Sequence, residues 1–290
     1  MQLDPSQLAA LVAVLRHGSF DHAAAALHVT PSAISQRIRA LEDRVGTTLI
    51  IRSSPARATE AGARLARHAT ELSLLEADLA RDLSLGVEPG KVRLAVTADS
   101  LATFVIPALA QVTDLLYEIV VDDQAHSADW LRRGEVSAAI TDHAHPIQGC
   151  DCHPLGTLRY LATASPDYIA LHFPDGVTPE ALTQAPMLRF SQKDRLQHDW
   201  LHQLTGRRLL PPCHDLPSPQ GFVEAARRGL GWGLNPEIMV RDDIARGALV
   251  AFHRDLPMDT PLYWQVRRAV APALEALTRA MRRAASDHLI

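Results

Sequence analysis

The sequence predicts an α/β fold in which helices dominate the first part of the chain and strands alternate with helices in the rest. In the first part, apolar residues recur at helical spacing, as do Leu8, Leu11, Val12 and Leu15. After residue 91, apolar strand-like runs alternate with helical or loop segments, at 92–96, 119–121, 138–141 and 160–163. This alternation is typical of βαβ units and predicts a largely parallel sheet.

The composition is that of an ordinary globular protein. A length of 290 residues predicts two or three domains, and 47% hydrophobic with 21% charged residues excludes a disordered or fibrous chain. The longest unbroken apolar run, Leu8–Leu15, is far shorter than a membrane helix and follows no basic leader. Three cysteines, Cys150, Cys152 and Cys213, are too few for a disulfide framework. We therefore expect a cytoplasmic protein with no membrane partner.

Start and stop residues delimit three helices at the amino-terminal end. The first ends at Gly18, and a short second helix spans Asp21–Leu27. After a turn at 28–29, Thr30 is a good N-cap for a third helix, which runs from Pro31 to Val45 and ends at Gly46. Two helices joined by such a short turn predict a helix-turn-helix.

The third helix has two distinct faces. Ile34, Ile38 and Leu41 share one face and should pack inward. The other face carries short hydroxyls, an amide and a guanidinium, from Ser32, Ser35, Gln36 and Arg39. Such a polar face can enter the major groove of DNA and contact base edges, although an ordinary solvated helix face has the same pattern.

A small hairpin follows this helix. Residues 48–52 and 58–59 predict two short strands around a turn, and Arg52 and Arg57 flank its tip. At that position they can contact DNA phosphates or the minor groove beside the third helix. The formal net charge of the chain is −4, yet residues 1–60 hold six arginines against five acids. The part of the chain that is predicted to bind DNA therefore carries a net charge of +1, against −5 for the rest of the chain.

A long helix begins after the hairpin. Thr59 is its N-cap, and Leu65, Leu72 and Leu79 recur every seven residues, with Leu75 between them. This spacing favours a seam between two chains, with packing back onto the amino-terminal helices as the alternative. Gly86, Pro89 and Gly90 predict a hinge after the helix.

Other combinations of residues in the sequence give weaker signals of a site. The histidines and cysteines in 143–153 lack a recognised zinc spacing, so a loop without metal is favoured over a metal site; they are His143, His145, Cys150, Cys152 and His153. No Gly-x-Ser-x-Gly elbow supports a hydrolase, and we expect no enzyme activity. Gly229, Gly231 and Gly233 precede Leu-Asn-Pro rather than open a helix, which favours a close strand approach over a phosphate loop.

The amino-terminal residues resemble the LysR-type family of regulators. The resemblance rests on Gly18-Ser-Phe20, Ala23-Ala24, Leu27, Val29-Thr30, Ser32-Ala33, Ser35, Ile38, Leu41-Glu42, Gly46, Leu49, Arg52 and Thr59-Glu-Ala-Gly62. It extends over essentially the whole chain, because the remainder is similar to the family's two-lobed, periplasmic-binding-protein-like effector domain. One departure is Pro31, which stands where many relatives have a glutamine and which puts a polar base contact there in doubt.

The resemblance implies a domain organisation and partners. Residues 1–59 would form the winged helix-turn-helix DNA-binding domain and 60–90 the linker helix and hinge. Residues 91–161 with 265–290 would form effector lobe 1, and 162–264 effector lobe 2. The implied partners are double-stranded operator DNA, RNA polymerase, and copies of the chain in a dimer of dimers. The residues expected to contact DNA are Pro31, the polar helix face and the two hairpin arginines.

Within this family, the likeness is greatest to regulators that sense lysine and arginine and activate basic amino acid exporters. It rests on residues 55–60, 98–103, 131–136 and 229–236. The effector would be lysine or arginine, with no other cofactor. An architectural DNA-binding protein without an effector is the alternative.

Ligands of such α/β sheets bind beyond the carboxyl ends of strands, here at the turns 97–100 and 217–220. Four acids near strand ends are candidates for the cation of the effector: Asp99, Asp122, Asp123 and Asp142. Ser100, Thr103 and Ser218 at helix starts can bond its carboxylate, and Trp232 can line the cleft although it can equally belong to the core. Solvated loop charges are the alternative for the acids.

Overall fold

A computed structural model describes residues 3–85, 89–122 and 124–290, and for 124–126 the backbone alone. Two compact units make up the chain. The first comprises Met1–Val92, Asp114–Tyr117 and Arg133–Ser137, and the second comprises Arg93–Thr113, Glu118–Arg132 and Ala138–Ile290.

Three capped helices open the first unit: α1 (Pro5–His17), α2 (Phe20–Ala26) and α3 (Pro31–Val45). Thr30 Oγ1 accepts a hydrogen bond from the backbone N–H of Ala33, which confirms the predicted start of α3. Gly18 and Gly46 end α1 and α3 with φ of +66° and +78°, a left-handed conformation that glycine adopts without a steric cost.

The apolar faces of these helices form one core. Ile34, Ile38 and Leu41 of α3 are fully buried, together with Leu11 and Val14 of α1. Burial of each such aliphatic side chain contributes about 1.5–3 kcal/mol. The inward face of α3 is therefore the one that the periodicity predicted, and its opposite face is free of core packing.

The hairpin and the long helix complete this part of the unit. Strands β1 (Ile50–Ile51) and β2 (Arg57–Ala58) pair antiparallel, and α4 (Glu60–Asp82) begins after Thr59. Thr59 Oγ1 accepts from the N–H of Gly62 and donates to the carbonyl of Thr48, which ties the helix start to the hairpin. A Cβ on Gly62 would lie 1.9 Å from the carbonyl oxygen of Leu49, so only glycine fits there.

The residues from 89 onward contain alternating strands and helices. The strands are β3 (Gly90–Val96), β4 (Leu115–Val121), β5 (Ala138–Thr141), β6 (Cys150–Ala164), β7 (Met187–Arg189), β8 (Cys213–Asp215), β9 (Gly233–Pro236), β10 (Val250–Ala251) and β11 (Met258–Arg267). The α-helices are α5 (Ala98–Ser100), α6 (Ile106–Leu109), α7 (Gln124–Arg133), α8 (Pro166–His172), α9 (Pro179–Gln184), α10 (Leu196–Thr205), α11 (Pro219–Arg227), α12 (Glu237–Ala245) and α13 (Glu275–His288). A π-helical segment joins α5 to α6 at Leu101–Val105, and 3-10 turns lie at Arg268–Val270 and Pro272–Leu274.

The main sheet has the order β10-β6-β11-β5-β3-β4, with β9 also paired to β6. Strands β3 and β5 are parallel, but β11 pairs antiparallel with both β5 and β6, and β6 pairs antiparallel with β9 and β10. The prediction of a largely parallel sheet is therefore wrong. The sheet departs from the prediction because β6 pairs with β11. These strands lie about a hundred residues apart in the sequence, so no local sequence pattern predicts that they pair.

Two further expectations about glycines have different outcomes. A Cβ on Gly231 would lie 2.8 Å from Cδ2 of Leu188 in β7, and one on Gly233 would lie 3.2 Å from Cβ of the same residue, which supports a close strand approach at these two positions. Gly229 instead follows α11 with a φ of +72° and shows no such approach. Gly90 instead is the buried first residue of β3 and packs near Leu74 of α4, so it is part of a strand rather than of a hinge. Gly86 lies outside the described residues. Among the described residues, no helix is long and apolar enough to cross a membrane.

Candidate functional site

The outward face of α3 is the first candidate surface, and it belongs to the first unit. Ser35 is half-buried, whereas the other candidates on this helix are exposed, namely Pro31, Ser32, Gln36 and Arg39. Because Ile34, Ile38 and Leu41 fix the orientation of the helix, these side chains share the solvent-facing side. The arrangement presents hydroxyl, amide and guanidinium groups of the kind that contact base edges.

The hairpin carries the two candidate arginines. Arg52 and Arg57 are both exposed, and the guanidinium carbon of Arg52 lies 5.3 Å from the ring centroid of Phe20. This cation–π contact restricts the Arg52 side chain. The backbone of Arg57 is extended as part of β2. Glu42, near the end of α3, has a structural role. Its Oε1 accepts from the N–H of Leu49 at 2.8 Å and so joins α3 to the hairpin.

A cavity of about 850 Å³ in the second unit is the second candidate site. It lies beyond the ends of β3, β4 and β5 and is also lined by the segment before α10, by the start of α11 and by β9. Its volume is in the range of pockets that hold small molecules. Its polar lining includes Asp99, Asp122, Asp142, Tyr160, Lys193, Asp194, Arg195, Gln197, Asp199 and Asn235.

The cavity brings together three of the acids selected from the sequence. Asp99 follows β3, Asp122 follows β4, and Asp142 follows β5. Asp122 Oδ2 accepts from the indole Nε1 of Trp130 at 2.8 Å, and Asp142 Oδ1 lies 2.7 Å from Nδ1 of His143. Asp123 lies outside the described residues.

Asp99 is the most perturbed of these carboxyl groups. Its Oδ2 accepts a hydrogen bond from the hydroxyl of the buried Tyr160 at 2.8 Å. Burial raises the pKa of Asp99 to about 6; the bond from Tyr160 opposes this shift, and the nearby charge of Asp194 adds to it. Burial and the Asp99 charge together hold the pKa of Tyr160 well above its ordinary value, so Tyr160 remains the donor.

The other effector candidates lie outside the cavity lining. Ser100 is fully buried and its hydroxyl accepts from Thr97 Oγ1, while Thr103 Oγ1 donates to the carbonyl of Asp99. Ser218 caps α11 by accepting from the N–H of Gly221. Trp232 is fully buried, with its ring centroid 5.3 Å from that of Trp200, as in the core alternative.

Sequence reasoning missed the wall formed by residues 190–199 and β9. Asp194 is held in place because its carboxylate oxygens accept from the N–H groups of Phe190 and Leu196. It follows the short strand β7, so the rule applied to the other strand ends could have found it. Gln197 and Asn235 have no such signal, since each occupies an unremarkable polar position of its helix or strand.

The histidines and cysteines in 143–153 do not assemble into a ligand set. Cys150 is buried, and the thiol of Cys152 lies 3.6 Å from the carbonyl oxygen of Ala144. Burial raises the pKa of both thiols, which disfavours the thiolate that a metal requires. Within the described part of the chain, no group of three or more His, Cys, Asp or Glu residues could hold a metal ion.

Comparison with known proteins matches both parts of the chain to one family. The model of the LysR substrate binding domain matches residues 86–286, and that of the bacterial regulatory helix-turn-helix protein, lysR family, matches residues 5–63. The HTH-type transcriptional regulator LysG of Mycobacterium tuberculosis H37Rv is 42% identical over 287 residues, which are 98% of this chain and 94% of the relative.

Two solved structures have the same architecture over their full length. The crystal structure of ArgP from Mycobacterium tuberculosis has a TM-score of 0.86 and 41% identity, with 99% of each chain covered. Full-length LysG from Corynebacterium glutamicum with bound effector Arg has a TM-score of 0.75 and 38% identity, again with 99% of each chain covered. The relatives are transcriptional regulators rather than enzymes, and the helix-turn-helix is their DNA-binding part. This chain therefore belongs to the LysR family of bacterial transcriptional regulators.

Proposed function

We propose that this regulator responds to a basic amino acid, arginine or lysine, which binds in the 850 Å³ cavity of the second unit. The observation that carries the proposal is the convergence of Asp99, Asp122 and Asp142 from three separate strand ends on one cavity. A cationic side chain gains most in such an environment, because a charge-assisted hydrogen bond is about twice as strong as a neutral one. The similar LysG structure with bound effector Arg supports this assignment.

The cavity also has cationic groups that suit the other end of an amino acid. Lys193 and Arg195 line it together with the acids. An α-carboxylate near these side chains and a cationic side chain near the aspartates would satisfy both ends of the ligand.

On the DNA side, we propose that the polar face of α3 reads the operator while Arg52 and Arg57 contact its backbone. The effector-bound protein would then activate a transport or export gene together with RNA polymerase. In this proposal, residues 1–59 form the DNA-binding domain and residues 60–90 form the linker. Residues 91–161 with 265–290 form effector lobe 1, and residues 162–264 form effector lobe 2. Pairing of α4 helices and a second contact through the effector part would give a dimer of dimers.

The test of the effector is calorimetry with arginine, lysine and the neutral analogue norleucine. We expect Asp99→Asn and Asp142→Asn each to weaken arginine and lysine binding by about 1.5–3 kcal/mol, roughly ten- to a hundredfold. Asp175→Asn, in an exposed loop outside the cavity lining, is the matched control and should bind as the wild type does. Norleucine binding as tight as arginine binding would refute the proposal.

The alternative, an architectural protein without an effector, predicts a different thermal response. A ligand at a hundred times its Kd stabilises the folded state by about 2.7 kcal/mol, which raises the melting temperature. An architectural protein would show no shift with either basic amino acid. Basal binding of operator DNA should be the same in the aspartate variants and in the wild type.

A further inference from the structure

Among the described residues, two buried amide side chains in the cavity wall have oxygens that accept no hydrogen bond. Gln197 is 1% exposed and Asn235 is 0% exposed, and both line the cavity. In the described part of the chain, Gln197 Oε1 and Asn235 Oδ1 have no hydrogen-bond partner. Buried polar atoms in native proteins are nearly always hydrogen-bonded, so two unpaired oxygens on residues that line one cavity point to a ligand that brings donors.

The surrounding structure holds both amides in place. Gln197 lies in the first turn of α10, whose buried Trp200 and Leu201 anchor the helix. The Asn235 amide Nδ2 donates to Thr163 Oγ1 at 2.9 Å, which orients the side chain and leaves Oδ1 as the free acceptor.

Two neighbouring carboxylates already accept hydrogen bonds: Asp194 accepts from two backbone N–H groups, and Asp99 accepts from Tyr160. Among the described residues of the lining, Asp142 Oδ1 has no hydrogen-bond partner either, although it lies 2.7 Å from His143 Nδ1. The two amide oxygens are therefore the neutral acceptors of this lining that require hydrogen bonds from a ligand. A carboxylate would be repelled by them, whereas a guanidinium has five N–H donors and an ammonium has three.

We propose that Gln197 and Asn235 accept hydrogen bonds from the side-chain cation of the effector and thereby select arginine and lysine over apolar amino acids. This inference rests on the proposed function, that the cavity takes a basic amino acid. The aspartates supply charge, and the two amides supply directional acceptors. Selectivity arises because an apolar side chain would leave both buried oxygens unpaired.

The test compares arginine, lysine and norleucine binding to full-length Gln197→Met and Asn235→Leu, with norleucine measured by displacement of arginine. Both substitutions remove the acceptor at similar side-chain volume. We expect the Kd of arginine and lysine to rise about 10- to 100-fold and that of norleucine to change less than about twofold. Gln203→Met, at an exposed position of α10 outside the cavity lining, is the matched control and should bind as the wild type does.

A second variant separates loss of the acceptor from damage to the fold. Asn235→Asp keeps an oxygen at the same position and adds negative charge, so it should bind arginine at least as tightly as the wild type. Gln197→Met removes an unpaired buried acceptor, so the melting temperature of the ligand-free variant should not fall below that of the wild type.

The outcomes also distinguish this inference from the proposed function. A wild-type protein that binds norleucine as tightly as arginine overturns the proposed function. If the wild type binds arginine more tightly than norleucine, and Gln197→Met and Asn235→Leu keep the same ratio of these two affinities, only the inference is overturned. If norleucine weakens in parallel with arginine, the amides contact the α-ammonium group instead, and the assignment to the side-chain cation is wrong.

Discussion

Under the proposed function, Asp99 is the residue at which ligand binding would be coupled to protonation. Burial raises its pKa to about 6. The hydrogen bond from Tyr160 opposes this rise, and the nearby charge of Asp194 adds to it. Because its pKa in the folded state is raised, the folded protein holds this proton more tightly than the unfolded chain between about pH 4 and pH 6. The contribution of Asp99 to the stability of the free protein therefore falls as pH rises through that window, and a cationic ligand offsets the loss.

We therefore expect arginine binding to strengthen about tenfold between pH 5 and pH 7.5, because the cation pairs with ionised Asp99. Calorimetry across this range measures the change, and proton release appears as a dependence on buffer ionisation enthalpy. Other ionisable groups in the cavity are Asp122, Asp142, Asp194, Asp199, Lys193 and Arg195, and His143 contacts Asp142. Asp99→Asn should flatten the profile; a slope that persists in that variant would assign it to another group.

The exposed face of α3 supports a second prediction, on DNA recognition. Gln36→Ala should relax preference at one base position by about 1–3 kcal/mol, because a side-chain amide pairs with a base edge. Arg57→Ala should weaken binding to all sequences alike and lower the salt slope by about one. A selection of operator variants with each protein measures both effects. The same sequence preference after substitution of Ser32, Ser35, Gln36 and Arg39 would contradict the assignment.

The sequence predicts residues to different degrees according to whether their signal is local. Thr30 and Gly46 could be assigned as the ends of α3, because a cap depends on residues within one turn. Asp99 could be placed at a strand end, but its bond to Tyr160, sixty-one positions away, could not. Gln197 is a polar residue in a helix until the tertiary structure buries it in a cavity wall.

The same distinction holds for whole elements. Helices α1, α3 and α4 form where their periodicity and caps predict, since their hydrogen bonds are internal. The end of β6 was predicted from its apolar residues, but not its full extent from Cys150 to Ala164. Its pairing with β11 has a register shift between Leu262 and Tyr263, and such long-range registers depend on partners that no local pattern identifies.

Helix α4 supports a prediction about assembly. Leu65 packs against the core of the first unit, as the alternative of packing back requires, whereas Leu79 and Leu83 are 59% and 60% exposed. Leu75 is also exposed, which leaves an apolar stripe on the second half of the helix. Such a stripe is typical of a helix that pairs with another copy.

We expect Leu75→Glu with Leu79→Glu to halve the molar mass of the assembly at micromolar concentration, because two buried charges cost more than the seam contributes. Light scattering measures the mass, and Ser73→Glu, an exposed position on the same helix, is the control. A wild-type chain that is monomeric at this concentration would remove the basis for both the helix seam and the tetramer.

At the scale of the whole molecule, the distribution of charge bears on how operator affinity arises. The chain has a formal net charge of −4, whereas residues 1–60 have a net charge of +1. One copy therefore has few cations with which to neutralise phosphates, and the rest of the chain repels DNA. Tight binding by such a protein requires several DNA-binding parts acting on one operator, where the second contact benefits from a high effective concentration.

This reasoning gives the last prediction. If each α3 and hairpin contacts DNA as proposed, each releases its own counterions, so the slope of log affinity against log salt scales with the number of copies bound. For the Leu75→Glu, Leu79→Glu variant, we expect about half the wild-type slope on a full operator and an unchanged slope on an isolated half-site. Fluorescence anisotropy at several salt concentrations measures both slopes. Equal slopes for variant and wild type on the full operator would mean that pairing through α4 does not bring a second DNA-binding part to the operator.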